Sequence, residues 1–276
     1  MDLRRGWIEL EKLIDTHAHL DFPEFGPDLG FFLDRAIEKG VGEIVTIGID
    51  LASSRKAAEL AETHSQIYAA VGIHPHDSFD LDDGILNELR ALTLRPRVVA
   101  CGEMGLDYYR NYRPGDIQRR CFEQQLELAC EVRLPAVFHV RDAHDAFFRI
   151  VERFAHRLEG GILHCFSGDW EVAQRCLDMG FYLSVPGTVT YPKSNVQQEV
   201  VRRAPFDRLL VETDAPYLAP VPFRGKTNEP SYVVYTAAKV AELRGCSLHE
   251  AAAQTTRNAR EAFRLDGPKA SAKAAG

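Results

Sequence analysis

Leu13-Ile14-Asp15-Thr16-His17-Ala18-His19 passes from two aliphatic residues into a pair of histidines. The aliphatic run is too short for a typical helix and suits a buried strand. Seven comparable runs follow, at residues 43–49, 67–73, 98–101, 136–140, 161–165, 181–185 and 209–212. They are rich in Val, Ile and Leu, as parallel strands covered on both faces are. Between them lie stretches of helical spacing at 28–40, 52–64, 83–94, 116–133, 143–157, 170–179 and 193–203. Residues 232–244 and 248–263 read as two final helices. Gly40 and Gly180 sit where helices stop, and Asp116 and Asp169 sit where N-caps belong. Strand and helix alternate eight times, which predicts a closed (β/α)₈ TIM-type barrel, class α/β. A doubly wound open sheet has the same periodicity. The count of eight and the placement of the polar residues favour the barrel.

The chain has 276 residues, enough for one such barrel of about 250. No linker interrupts residues 1–265, so a single domain is expected there, with 266–276 as a disordered polar tail. The net charge of -7 argues against a protein that coats nucleic acid through a basic face. It leaves open a nucleic acid entering a local, metal-lined cleft. Residues 1–12 are charged throughout and lack the apolar region of a signal peptide. No apolar run approaches the roughly 20 residues needed to span a bilayer. A cytoplasmic protein without a membrane partner is expected. The six cysteines form no CxxC pair and read as small buried hydrophobes.

The polar residues collect at the C-terminal ends of the candidate strands. The first ends in His17 and His19, the third in His74-Pro75-His76, and the fourth in Gly102-Glu103. The fifth ends in His139, the sixth in His164, and the eighth in Glu212-Thr213-Asp214. A barrel brings these ends to one face, where its active site lies. Burying four imidazoles and two carboxylates together is costly without a cation. Six ligands exceed what one tetrahedral ion with an open position takes. They suit two divalent ions about 3.5–4 Å apart that share a carboxylate. Glu103 is the candidate bridge. His17, His19 and Asp214 would complete one ion's shell, and His139 and His164 the other's. A hydrogen-bonded His-x-His pair near a turn is the bland alternative for His17 and His19 alone.

At these residues the sequence resembles the TatD family of metal-dependent hydrolases and deoxyribonucleases. The matching stretches are Asp15-Thr16-His17-Ala18-His19-Leu20-Asp21, Gly72-Ile73-His74-Pro75-His76 and Gly102-Glu103-Met104-Gly105-Leu106-Asp107-Tyr108. Further on are His139-Val140-Arg141, His164-Cys165-Phe166-Ser167-Gly168, Glu212-Thr213-Asp214-Ala215-Pro216-Tyr217-Leu218 and Arg224-Gly225-Lys226-Thr227-Asn228-Glu229-Pro230. The resemblance runs from about Leu13 to Phe263. It departs at Thr227, where family members commonly carry Arg, a change that would weaken one contact to a polyanion. It implies a TIM-type barrel, hydrolysis of phosphodiester bonds in DNA, and Mg²⁺, Mn²⁺ or Zn²⁺ as cofactor.

The expected chemistry starts from a water held by the metal pair, whose pKa falls to about 7. Asp214 is the candidate proton acceptor, and His74 the candidate donor to a phosphate oxygen. Ser167 and Arg224 are candidate phosphate contacts, and Tyr108 and Tyr109 could stack on a base of single-stranded DNA. Structural alternatives stand beside each. The tyrosines could pack a loop, Arg224 could pair with Glu229, and His74 could merely orient a ligand. Asp107 and Glu212 could orient imidazoles. The same site could cleave an ester or amide, such as D-aminoacyl-tRNA. A non-catalytic scaffold that keeps its metals is a further alternative.

Overall fold

The computed structural model describes residues 12–266. Eight strands alternate with helices. They are β1 (Leu13–Ala18), β2 (Val41–Ile47), β3 (Ile67–Val71), β4 (Val98–Asp107), β5 (Ala136–Arg141), β6 (Gly161–Leu163), β7 (Tyr182–Val185) and β8 (Leu209–Val211). The α-helices are α1 (Leu29–Glu38), α2 (Leu51–Thr63), α3 (Asp83–Thr93), α4 (Gly115–Val132), α5 (His144–Val151), α6 (Trp170–Asp178), α7 (Asn195–Arg203), α8 (Val233–Arg244) and α9 (Leu248–Ala262). The strands form one parallel sheet in sequential order. A doubly wound sheet would break that order at a switch point.

The seam between β8 and β1 closes the sheet. The Asp214 amide donates to the His17 carbonyl at 2.9 Å, and the His19 amide donates to the Ala215 carbonyl at 2.8 Å. Side chains continue the seam inward. The Thr16 hydroxyl donates to the Val211 carbonyl at 3.0 Å, and the Thr213 amide and hydroxyl both donate to the buried Asp15 carboxyl. Burial pushes the Asp15 carboxyl up to about 8, against the pull of these bonds from Thr213.

Alternation along the strands divides the apolar residues into two layers. Ile14, Val45, Ala70, Ala100, Val137, Ile162, Tyr182 and Leu210, one from each strand, fill the barrel, with Ala259, Ala262 and Phe263 of the α9 segment packed against them. Leu13, Ile44, Phe138, Leu163, Leu183 and Val211 face outward, into a larger cluster shared with the helices. Each fully buried aliphatic of this kind contributes on the order of 2 kcal/mol.

The alternation slips in two strands, and both slips aim a site residue. Along β1, Asp15 pairs with Ile44 but Ala18 with Thr46, three residues against two. Thr16 faces inward onto Ser184, Ala18 joins the outer cluster, and His17 is turned inward as well. Along β4, Cys101 pairs with Ala136 but Met104 with Phe138, again three against two. Ala100 and Glu103 therefore both face inward. Such an extra residue re-aims the chain that follows it. Gly102 and Gly105 make the β4 slip possible. Both have positive φ, and a side chain at either would run into the carbonyl of Val137 or His139. With them β4 continues beside β5 to Asp107, beyond the end expected at residue 101.

Two other expectations need correction. The helix expected at 143–157 ends at Val151, and successive turns carry the chain to residue 157. Asp116 lies inside the first turn of α4, and Pro114 holds the N-cap position. Asp169 does cap α6, accepting from the Val172 amide. The tail expected at 266–276 lies outside the described residues, apart from Asp266, which Arg260 holds at 2.6 Å. Residues 1–11 lie outside them too. No helix among the described residues is long and apolar enough to cross a membrane.

Candidate metal centre

Glu103 stands at the middle of the barrel mouth, 2% exposed. Its two oxygens face two different sets of side chains. Oε2 lies 3.3 Å from His17 Nε2 and 4.0 Å from His19 Nε2. Asp214 Oδ1 faces the same two nitrogens at 3.8 and 3.4 Å. Oε1 lies 2.8 Å from both His139 Nδ1 and His164 Nε2. All six residues singled out from the strand ends thus meet around one carboxylate. The imidazoles of His17 and His164 stack at 3.9 Å between the two halves.

The outer nitrogens of three rings face acceptors. His19 Nδ1 lies 3.3 Å from the Ile47 carbonyl. His139 Nε2 lies 3.2 Å from Asp107 Oδ2, and His164 Nδ1 lies 3.5 Å from Glu212 Oε1. An acceptor behind a ring fixes the proton on that side and leaves the inward nitrogen with a free lone pair, the arrangement metal-bound histidines use. Asp107 also takes His76 Nε2 at 2.8 Å, so His76 faces that carboxylate rather than Glu103. Glu212 accepts from the Cys165 amide at 2.6 Å.

His74 differs from these rings. Its Nδ1 accepts from the His76 amide at 3.1 Å, so the proton sits on Nε2, which points at Glu103 Oε1 from 3.5 Å. The geometry groups His74 with Glu103 and His139 as possible ligands. With its lone pair spent on a backbone amide, however, His74 is placed to donate rather than to ligate. Burial drives its pKa well below the ordinary histidine value, so it is neutral.

The electrostatics suit a cation. Burial alone would raise Glu103, but the neighbouring His164 and the hydrogen bond with His139 hold it well below the usual carboxylate range. Asp214 is likewise lowered: burial opposes this, and the hydrogen bond with His19 and the nearby His164 prevail. His17, lowered by burial and by the neighbouring His164, has a buried Nε2 with no hydrogen-bond partner although two carboxylates face it. A neutral imidazole nitrogen of this kind, set between ionised carboxylates, fits a divalent ion.

The remaining predicted contacts lie on the rim. Ser167 and Arg224 are exposed. Arg224 does not pair with Glu229, whose carboxylate is taken by Arg35 and Ser231. Its guanidinium lies instead 4.6 Å from the Tyr191 ring. Tyr108 packs against the outer core and its hydroxyl receives Arg119 at 3.1 Å. Tyr109 is the exposed ring, with Arg141 over it at 3.9 Å. Arg141 carries no motif that assigns it a role, though its place two residues beyond His139 puts it on the same face of β5.

Comparison with known proteins places this site in a family. The model for TatD-related DNases matches residues 14–264. A Bacillus subtilis protein named an uncharacterized metal-dependent hydrolase, YabD, is 45% identical over 92% of this chain and the whole of its own length. A TatD of Klebsiella pneumoniae, named a 3'-5' ssDNA/RNA exonuclease, is 34% identical over 92% of this chain and 98% of its own. The crystal structure of YjjV, a TatD homolog from Escherichia coli, superposes with a TM-score of 0.85 at 32% identity, covering 93% of this chain and 98% of that one. With the eight-stranded parallel barrel and its histidine–carboxylate cluster, these matches make the chain a metal-dependent hydrolase of the TatD family.

Proposed function

We propose that the chain is a two-metal phosphodiesterase acting on single-stranded nucleic acid, with DNA as the first candidate substrate, in one hydrolase domain ending near residue 265. The observation that carries this is the division of Glu103: one oxygen toward His17 and His19, the other toward His139 and His164. His17, His19, Asp214 and Glu103 would hold one ion, and His139, His164 and Glu103 the other. When bound, such a pair supplies Lewis-acid activation of water and neutralises charge on the attacked phosphate. The imidazole-rich donor set favours Mn²⁺ or Zn²⁺ over Mg²⁺, which prefers carboxylates and water.

The chain's own residues do the rest. Asp214, held ionised by its neighbours, accepts the proton of the attacking water. His74 donates a hydrogen bond from Nε2–H to a non-bridging phosphate oxygen. Ser167 and Arg224 lie on the rim, where they can meet the flanking backbone. The name of the Klebsiella relative supports a single-stranded substrate.

The test strips the protein with EDTA and restores Mg²⁺, Mn²⁺ or Zn²⁺ singly. End-labelled single-stranded DNA, single-stranded RNA, duplex DNA and a panel of esters including D-aminoacyl-tRNA are then compared. Metal-restored cleavage of the single strands is expected. Hydrolysis of carboxylic esters with every nucleic acid left intact would replace phosphorus by a carbonyl carbon as the target.

A further inference from the structure

Many arginines of the outer layer pair with carboxylates on neighbouring elements: Arg55 with Glu88, Arg90 with Glu131, Arg153 with Glu123, Arg157 with Glu127, and Arg175 with Glu152. Arg110, Arg113 and Arg141 lie in or beside the loop that follows β4. Among the described residues none of the three has a carboxylate within salt-bridge distance. Arg113 instead donates to the His76 carbonyl at 3.3 Å, and Arg141 lies 3.9 Å from the Tyr109 ring centroid. In a chain of net charge -7, these cations stand uncompensated beside the candidate metal centre.

The same loop, Tyr108-Tyr109-Arg110-Asn111-Tyr112-Arg113, contains no acidic residue. Two of its rings face solvent: Tyr109 is 58% exposed and Tyr112 63%. Both are fixed relative to the site. The Tyr108 amide donates to the Arg141 carbonyl at 2.9 Å, tying the loop to β5. Tyr112 meets the His76 ring edge-on at 4.7 Å, and His76 is bonded in turn to Asp107, which backs His139. Arg141 lies two residues beyond His139 on one strand, about 6.6 Å farther out. Exposed aromatic rings interleaved with unpaired cations form the surface on which single-stranded nucleic acid stacks its bases and lays its phosphates.

We propose that Tyr109, backed by Arg141, is the stacking platform for an unpaired base next to the scissile phosphate, and that Arg141 holds an adjoining phosphate. Tyr112 is the second ring of this surface. The proposal rests on the nuclease function above and deepens it by naming what selects a single strand. A base paired inside a duplex has no free face to offer the ring.

The test compares wild type, Tyr109→Ala, Tyr109→Phe and Arg141→Gln on two substrates of equal length. One is a single-stranded oligodeoxyadenylate, and the other is a chain of abasic deoxyribose phosphates. Cleavage and binding of both are measured, the latter by fluorescence anisotropy. Tyr109→Ala should raise KM on the oligodeoxyadenylate by about 5- to 150-fold, the range of one lost base–aromatic stack, with the loss on KM rather than kcat. It should leave KM on the abasic chain unchanged. Tyr109→Phe should behave as wild type, and Arg141→Gln should weaken both substrates. Unchanged KM for Tyr109→Ala on an oligonucleotide that wild type cleaves overturns the platform and spares the nuclease. Failure of wild type to bind or cleave either substrate overturns both.

Discussion

Asp107→Asn tests whether the two halves of the metal centre are built separately. Asp107 Oδ1 accepts from the Arg110 amide at 2.7 Å, and Oδ2 faces His76 Nε2 at 2.8 Å and His139 Nε2 at 3.2 Å. In the asparagine variant the oxygen stays on the Arg110 amide, and the new NH₂ points at the two imidazoles. His139 must then accept at Nε2, which moves its proton to Nδ1, the nitrogen that faces Glu103. That tautomer cannot ligate. Loss of an outer partner of a ligating histidine weakens metal binding about 10- to 100-fold, roughly 1.4–2.7 kcal/mol. The upper end is expected, because the amide reverses the bond rather than deleting it. The backbone should hold. Gln118 pins both the amide and the carbonyl of residue 107 independently of its side chain, at 2.8 and 3.1 Å. The assay is a competitive chelator titration that resolves two binding steps. The step assigned to His139 and His164 should weaken, and the step assigned to His17, His19 and Asp214 should stay. Equal weakening of both steps, or of neither, refutes the tautomer argument.

Asp214→Asn should keep the fold and much of the metal and lower kcat about 10²- to 10⁴-fold, the usual range for a lost general base; near-wild-type turnover removes the proton-acceptor role. Gly105→Ala should destabilise the fold by about 1–3 kcal/mol, because residue 105 has positive φ and faces the His139 carbonyl. Thermal unfolding followed by circular dichroism should show a fall of roughly 3–10 °C, and an unchanged midpoint would contradict the close approach of β4 to β5. Metal affinity should fall as pH falls. In the ion-free protein, Glu103 and Glu212 raise His164 well above the ordinary value despite burial, and Asp107 and Glu103 raise His139 above it too. An ion must displace those protons, so affinity climbs with pH and flattens once His164 has lost its proton. Chelator competition between about pH 6 and 9 should trace that curve, and a flat or inverted profile would contradict the assignment.

The barrel was legible because each strand advertises itself as an aliphatic run and each strand end as a change to polar residues. His139 and His164 could be aimed from sequence, since Val137 and Ile162 set the inward parity two residues before each. His17 and Glu103 could not. Simple alternation from Ile14 or Ala100 would turn both outward, and only the extra residues in β1 and β4 bring them in. No periodicity encodes such a slip, although Gly102 and Gly105 mark its place in β4. Side-chain pairing across the fold was equally hidden. Glu229 is taken by Arg35, 194 positions away in the chain, which sequence spacing alone does not reveal. Tyr108 and Tyr109 look equivalent as neighbours, yet the loop packs one, half-buried, against the core and leaves the other to solvent.

The central claim is that one carboxylate joins two ions. Crystals of the Mn²⁺-loaded protein, measured at the manganese edge, test it most directly. Two anomalous peaks about 3.5–4 Å apart are expected, one on each oxygen of Glu103. A single peak, or a pair in which Glu103 touches only one, would contradict it.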